Sequence, residues 1–138
     1  MSVYLSNGVV LTVNAVDLST LVTSVTLNRA FDELEVTAMG DSGHKFVKGL
    51  EASSITIDFL NDEATSKTLQ TLNSSTVFGN NVVVTVKQTS AATSATNPLY
   101  TMTCLVNNTT PINGAVGDLS TQSVTWNVSG TVVVTTTA

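Results

Sequence analysis

The chain has 138 residues and 42% hydrophobic content, enough apolar material for one domain with a core and too much for a disordered chain. Only 11% of residues are charged, and the formal charge is −5. A classical nucleic-acid binder needs clustered Lys and Arg, whereas Arg29, Lys45, Lys48, Lys67 and Lys87 are scattered.

Thr and Val dominate, with abundant Ser, which is a β-rich composition. Low charge also suits a surface hidden in an assembly, because interfaces are depleted in Lys and Glu. Cys104 is alone, so no internal disulfide is expected, and it reads as a buried structural thiol. No basic start followed by an apolar run marks a signal peptide. No apolar segment approaches the ~18 residues of a membrane span.

In chain order, Val3–Leu5 and Gly8–Val13 read as a first strand region broken at Asn7-Gly8. Asn14–Ser19 reads as a turn. Val22–Asn28 alternates, with Ser24, Thr26 and Asn28 on one face and Val25 and Leu27 on the other. Arg29–Asp32 reads as a short turn into a strand where Glu33, Glu35 and Thr37 alternate with Leu34, Val36 and Ala38. A long loop follows, from Met39 to Glu51. It holds Gly40, Gly43, Gly49, the only His and two of the five basic residues. Hairpins normally need short loops, so this one is expected to serve function or assembly. Beyond it, Ser54, Thr56 and Asp58 alternate with Ile55, Ile57 and Phe59.

One short helix is expected over about residues 62–73. Asn61 or Asp62 would cap it, Asp62 and Glu63 would sit in its first turn, and Ala64, Leu69 and Leu72 would form its apolar stripe. Asn80-Asn81 then turns into Val82–Lys87. Gln88–Pro98 is a Ser/Thr/Ala loop expected to be mobile. Leu99–Val106 carries Tyr100, Met102 and Cys104 on one face. Asn107–Leu119 is a polar connection. Gln122–Val128 carries Val124, Trp126 and Val128 on one face, and Thr131–Thr135 is the last strand. Roughly eight or nine strands with one helix, and no βαβ pattern, predict a mainly β domain over 1–138. The fold would be an antiparallel sandwich or barrel. Val25, Leu27, Leu34, Val36, Ile55, Ile57, Phe59, Val84 and Trp126 are its expected core.

The chemistry of catalysis is missing. Asp41, Ser42 and His44 lie too close in sequence for triad geometry, and no nucleophile elbow is present. Gly40, Gly43 and Gly49 lack the strand–loop–helix order of a phosphate cradle. Without a CxxC or a His pair, no transition-metal site is expected. Asp32, Glu33 and Glu35 read as a solvated acidic face, because a calcium loop alternates more acidic ligands around a glycine. No catalytic residue, metal or cofactor is therefore expected.

The run from Val16 to Asp62 resembles the tail tube proteins of long-tailed bacteriophages. Thr37, Gly40 and Asp41 match a Thr-x-x-Gly-Asp element that ends a strand. Lys45, Phe46, Gly49 and Leu50 match the loop after it, and Ser53 to Phe59 match the Ser-rich strand before a short helix. Asn97-Pro98-Leu99-Tyr100, and Val116-Gly117-Asp118 before Trp126 and Gly130, continue the pattern. Thr89 to Thr96 match only as a variable loop. The resemblance implies a subunit that forms sixfold rings, stacked as a hollow tube that conducts the genome to the host. It implies copies of itself as partners, other tail proteins at the tube ends, and DNA passing through without specific binding. It implies no membrane partner, and a place in the virion after synthesis in the host cytoplasm. A capsid decoration protein is one alternative. A sugar-binding or adhesin-type sandwich is another, but it needs exposed aromatics, and Trp126 and Tyr100 lie in alternating, apolar settings.

Two sets of site residues follow. Apolar Phe46 and Val47 in a polar, glycine-rich loop mark a contact, so Met39, Gly40, Asp41, His44, Phe46, Val47, Gly49 and Leu50 are expected to reach a neighbouring subunit. The resemblance also implies a continuous barrel around the bore. Ser24, Thr26 and Asn28, then Glu33, Glu35 and Thr37, then Ser54, Thr56 and Asp58 are expected to line that lumen. No basic residue interrupts these faces, so like charge would let DNA slide. A solvated outer face explains the same alternation.

Overall fold

Every strand pairing among the described residues is antiparallel. The computed structural model describes residues 8–137. The expected strand at Val3–Leu5, and Asn7 of the first turn, lie outside the described residues. The elements are β1 (Val10–Val13), β2 (Val16–Asp17), a 3-10 turn (Ser19–Leu21), β3 (Val22–Asn28), β4 (Phe31–Glu35), β5 (Phe46–Glu51), β6 (Ser54–Leu60), α1 (Thr68–Asn73), β7 (Asn81–Lys87), β8 (Leu99–Leu105), β9 (Thr121–Asn127) and β10 (Val133–Thr135). One five-stranded sheet has the order β10-β8-β7-β1-β2, and a three-stranded sheet has the order β3-β6-β9. β4 and β5 form a separate two-stranded sheet. The expected class holds: mainly β, antiparallel, with one short helix, and the sheets do not close into a barrel.

Strict alternation builds the core. Ile55, Ile57, Phe59, Val124 and Trp126 from the smaller sheet pack with Leu11, Val13, Val84, Met102 and Cys104 from the larger. Register sets Ile57 between Val25 and Val124, and Ile55 between Leu27 and Trp126. The sheets join at one corner, where Cys104 bridges Val128 and the Ser129 N–H donates to the Thr103 carbonyl at 2.7 Å. Trp126 is fully buried, and its indole N–H donates to the Asn108 carbonyl at 3.2 Å. It is a core residue with its polar edge satisfied. Burial pushes the Cys104 thiol up to about 12, so at neutral pH it is an inert thiol.

Leu34 and Val36 do not join this core; they are 52% and 49% exposed. The cause lies at Arg29–Asp32, which is not a turn. Pairing runs from Asn28↔Ser54 through an Ala52 N–H to Ala30 carbonyl bond of 2.8 Å to Phe31↔Glu51. β3–β4 and β5–β6 are thus one long ribbon. Its first half lies in the sandwich, and its outer half runs past the sheet that would have covered it. The Met39–Glu51 stretch is likewise not all loop, since Phe46–Glu51 is β5.

The helix is shorter than expected, six residues from Thr68. Asp62 makes a turn instead of a cap, accepting from the Ala64 N–H at 2.8 Å. Ser66 then sits at φ 60°, outside the helical region, so regular structure starts only after it. The Thr68 hydroxyl donates to the Leu60 carbonyl at 2.8 Å, and Leu72 is buried while Ala64 is exposed. The Gln88–Pro98 loop is tied across its neck by Asn97, whose amide donates to the carbonyls of Thr89 and Ala91.

Candidate functional site

The outer half of the ribbon forms an arm. Leu34 faces Val47, Glu35 faces Phe46, and Glu33 faces Lys48. Paired residues share a face and neighbours along a strand alternate, so Leu34, Val36 and Val47 lie on one side. Glu33, Glu35, Phe46 and Lys48 lie on the other. Gly49 is needed at the base: a Cβ there would lie 3.0 Å from the Asp32 Cβ and 3.2 Å from the Asp32 carbonyl oxygen. It permits the register shift between Phe31 and Glu33. The Glu51 carboxylate then ties the base to the body, accepting from the Ser53 hydroxyl at 2.6 Å and the Val132 N–H at 3.1 Å.

The tip, residues 36–45, is organised by its own polar groups. Gly40 turns the chain at φ 91°, a conformation that suits a residue without Cβ. Asp41 accepts from the Ala38 N–H at 2.7 Å and pairs with Lys45 at 3.0 Å. Thr37 accepts from the Lys45 N–H and donates to Glu35, both at 2.9 Å. His44 Nδ1 meets Glu35 Oε2 at 2.5 Å. His44 therefore serves Glu35, and Asp41, Ser42 and His44 are not arranged as a triad.

The His44 contact, then the Thr37 hydroxyl, hold the Glu35 carboxyl below its usual range. The Ala38 N–H, then Lys45, do the same for Asp41. A carboxyl lowered on folding stabilises above its unfolded pKa, and that contribution is lost as pH falls through the folded value. Acidification below about pH 4 is thus expected to loosen the tip before the sandwich. Amide hydrogen exchange on residues 36–45 checks this; protection at pH 3 equal to that at pH 7 would contradict it.

The arm exposes apolar side chains on both faces. Phe46 is 52% exposed, Val47 48% and Leu50 80%, beside Leu34 and Val36. Met39 at the tip is fully exposed. A lone two-stranded ribbon is marginal in water, and clustered exposed apolar groups mark a contact. Of the expected contact residues, all eight thus lie on the arm, with Phe46, Val47, Gly49 and Leu50 in β5 rather than in a loop.

The outer face of the β3-β6-β9 sheet is the second surface. Its three rows are Asn28–Ser54–Asn127, Thr26–Thr56–Thr125 and Ser24–Asp58–Ser123. Thr56 and Thr125 hydroxyls share a hydrogen bond of 3.0 Å. Asp58 is the one charge among these side chains. The expected Ser24, Thr26, Asn28, Ser54, Thr56 and Asp58 come together here, but Glu33, Glu35 and Thr37 do not; they belong to the arm. Ser123, Thr125 and Asn127 complete the face without having been expected. Their signal was present, because inward Val124 and Trp126 force the residues between them outward.

Among the described residues, no three His, Cys, Asp or Glu gather as a metal site, and no helix is long and apolar enough to cross a membrane. No protein-family model and no curated protein matches the chain.

Proposed function

We propose that this chain is a self-assembling structural subunit, whose sixfold rings stack into the hollow tail tube of a long-tailed bacteriophage. The observation that carries the reading is the arm. An antiparallel ribbon leaves the sandwich with apolar groups on both faces, and among the described residues nothing buries them. The hydroxyl-rich face, whose single charge is the acidic Asp58, supports a wall that DNA passes without binding. The resemblance of the Val16–Asp62 run supplies the particular assembly. In this reading the partners are further copies, other tail proteins at the tube ends, and DNA in transit. The protein works in the virion after synthesis in the host cytoplasm, with no catalytic step and no cofactor.

Phe46→Ala is expected to weaken assembly while leaving the isolated domain folded, since Phe46 is half exposed and is not one of the buried core residues. Sedimentation across a concentration series checks this, with the variant sedimenting as the small species where the wild type forms rings or tubes. Assembly of the variant at the wild-type concentration would contradict it.

A further inference from the structure

Among the described residues the sandwich is open along β3. The three-stranded sheet ends there, opposite the wider five-stranded sheet. A groove of about 800 Å³ occupies the gap. Half-buried Val25 and Leu27 of β3 form one wall, and Val86 and Tyr100 form the other. Arg29 and Lys87 also line it, and no carboxylate does. These are two of the five cations in a chain whose net charge is −5.

β3 also presents its backbone here. The Val128 N–H bonds the Ser53 carbonyl, which sets the alternation of the ladder: Ile55 and Ile57 direct their backbone groups to β9, and Ser54 and Thr56 direct theirs to β3. Val25 and Leu27 therefore turn their N–H and C=O groups away from β6. Among the described strands β3 has no other neighbour. An open edge over an apolar wall is suited to an added strand, with main-chain bonds giving affinity and side-chain pockets giving specificity.

We propose that this groove receives the β4–β5 arm of a second copy, strand against strand. The proposal rests on the self-assembly reading and names the seat of the arm. Leu34, Val36 and Val47 supply an apolar face to pack against Val86 and Tyr100 beside Val25 and Leu27. Charge fits as well: Asp32 lies on the same side of the arm as Leu34, where both flank Gly49, and it offers a carboxylate to the cations of the groove. The arm does not fill its own groove. Pairing through Ala30 and Ala52 carries the ribbon onward from β3 instead of back over it. An arm that leaves one copy and enters the next is a heterologous contact, which propagates into closed rings or filaments.

A charge swap tests this. One variant carries Arg29→Glu and Lys87→Glu in the groove; the other carries Asp32→Lys, on the Leu34 side of the arm. Each alone is expected to raise the concentration needed for assembly at least about tenfold, because like charges then meet in a desolvated contact. An equimolar mixture should assemble near the wild-type concentration, since every mixed contact again joins opposite charges. Thermal unfolding of the unassembled variants confirms that both fold. A groove variant that assembles like wild type, or a mixture that stays unassembled, overturns the seat and leaves self-assembly standing. A wild-type chain that never assembles overturns both.

Discussion

Ile57→Ala is expected to lower the unfolding free energy by about 2–5 kcal/mol. Ile57 is wholly buried in the central strand of its sheet, between Val25 and Val124, with the larger sheet beneath it. Truncation removes apolar burial and leaves a cavity that a close-packed sandwich fills poorly. Leu34→Ala provides the contrast. By sequence pattern the two residues are equivalent, both apolar positions in alternating strands. Leu34 sits half exposed on the arm, so in the unassembled protein its truncation should change stability by no more than about 0.5 kcal/mol. Urea denaturation of both variants measures the difference. Equal midpoints would mean that the arm folds against the body or that Ile57 lies outside the core.

The second large effect concerns the polar face. Replacing Thr26, Thr56 and Thr125 by Lys places three cations in one row across the β3-β6-β9 sheet. If that row lines the bore, every ring gains a positive collar. Lysines that neutralise phosphates release counterions, so binding strengthens steeply at low salt and fades as salt rises. Tubes of this variant are expected to retain DNA at low salt, to protect it from nuclease, and to release it at high salt. Genome ejection should slow or stop. DNA that binds but is digested would place the row on the outside of the tube. Tubes that retain no DNA at low salt would do the same. The Lys substitutions leave the inward Val124 and Trp126 untouched, so the domain should still fold.

The two faces differ in how far the sequence disclosed them. Alternation in Val22–Asn28 and Ser54–Phe59 named the strands, their inward residues and their wet residues, because one face of each meets a packed core. The same pattern in Glu33–Ala38 misled. Period-2 spacing records that a strand has two unlike faces, but whether a sheet lies over one of them depends on where the ribbon leaves the body. Arg29 and Ala30 carry no mark of that exit; the Ala52 N–H to Ala30 carbonyl bond, a long-range pairing, sets it. Leu34 and Val36 therefore looked like core and are arm. Phe46 and Val47 were legible as apolar groups out of place because they stood out in a polar, glycine-rich stretch, and they are exposed, although that stretch is half strand. The groove under β3 was not legible. It arises from the unequal widths of two sheets, and its lining comes from residues far apart in the chain, such as Arg29, Lys87 and Tyr100. The helix start was misplaced because Asp62 offers its carboxylate to a local turn as readily as to a helix end.

Electron microscopy of the purified protein over a wide concentration range tests the central claim most directly. The expected result is sixfold rings and stacked hollow tubes, with the Thr26–Thr56–Thr125 row facing the bore and each arm seated on a neighbouring copy. A protein that stays monomeric at every concentration, or closes into isolated trimers without a bore, would contradict the account.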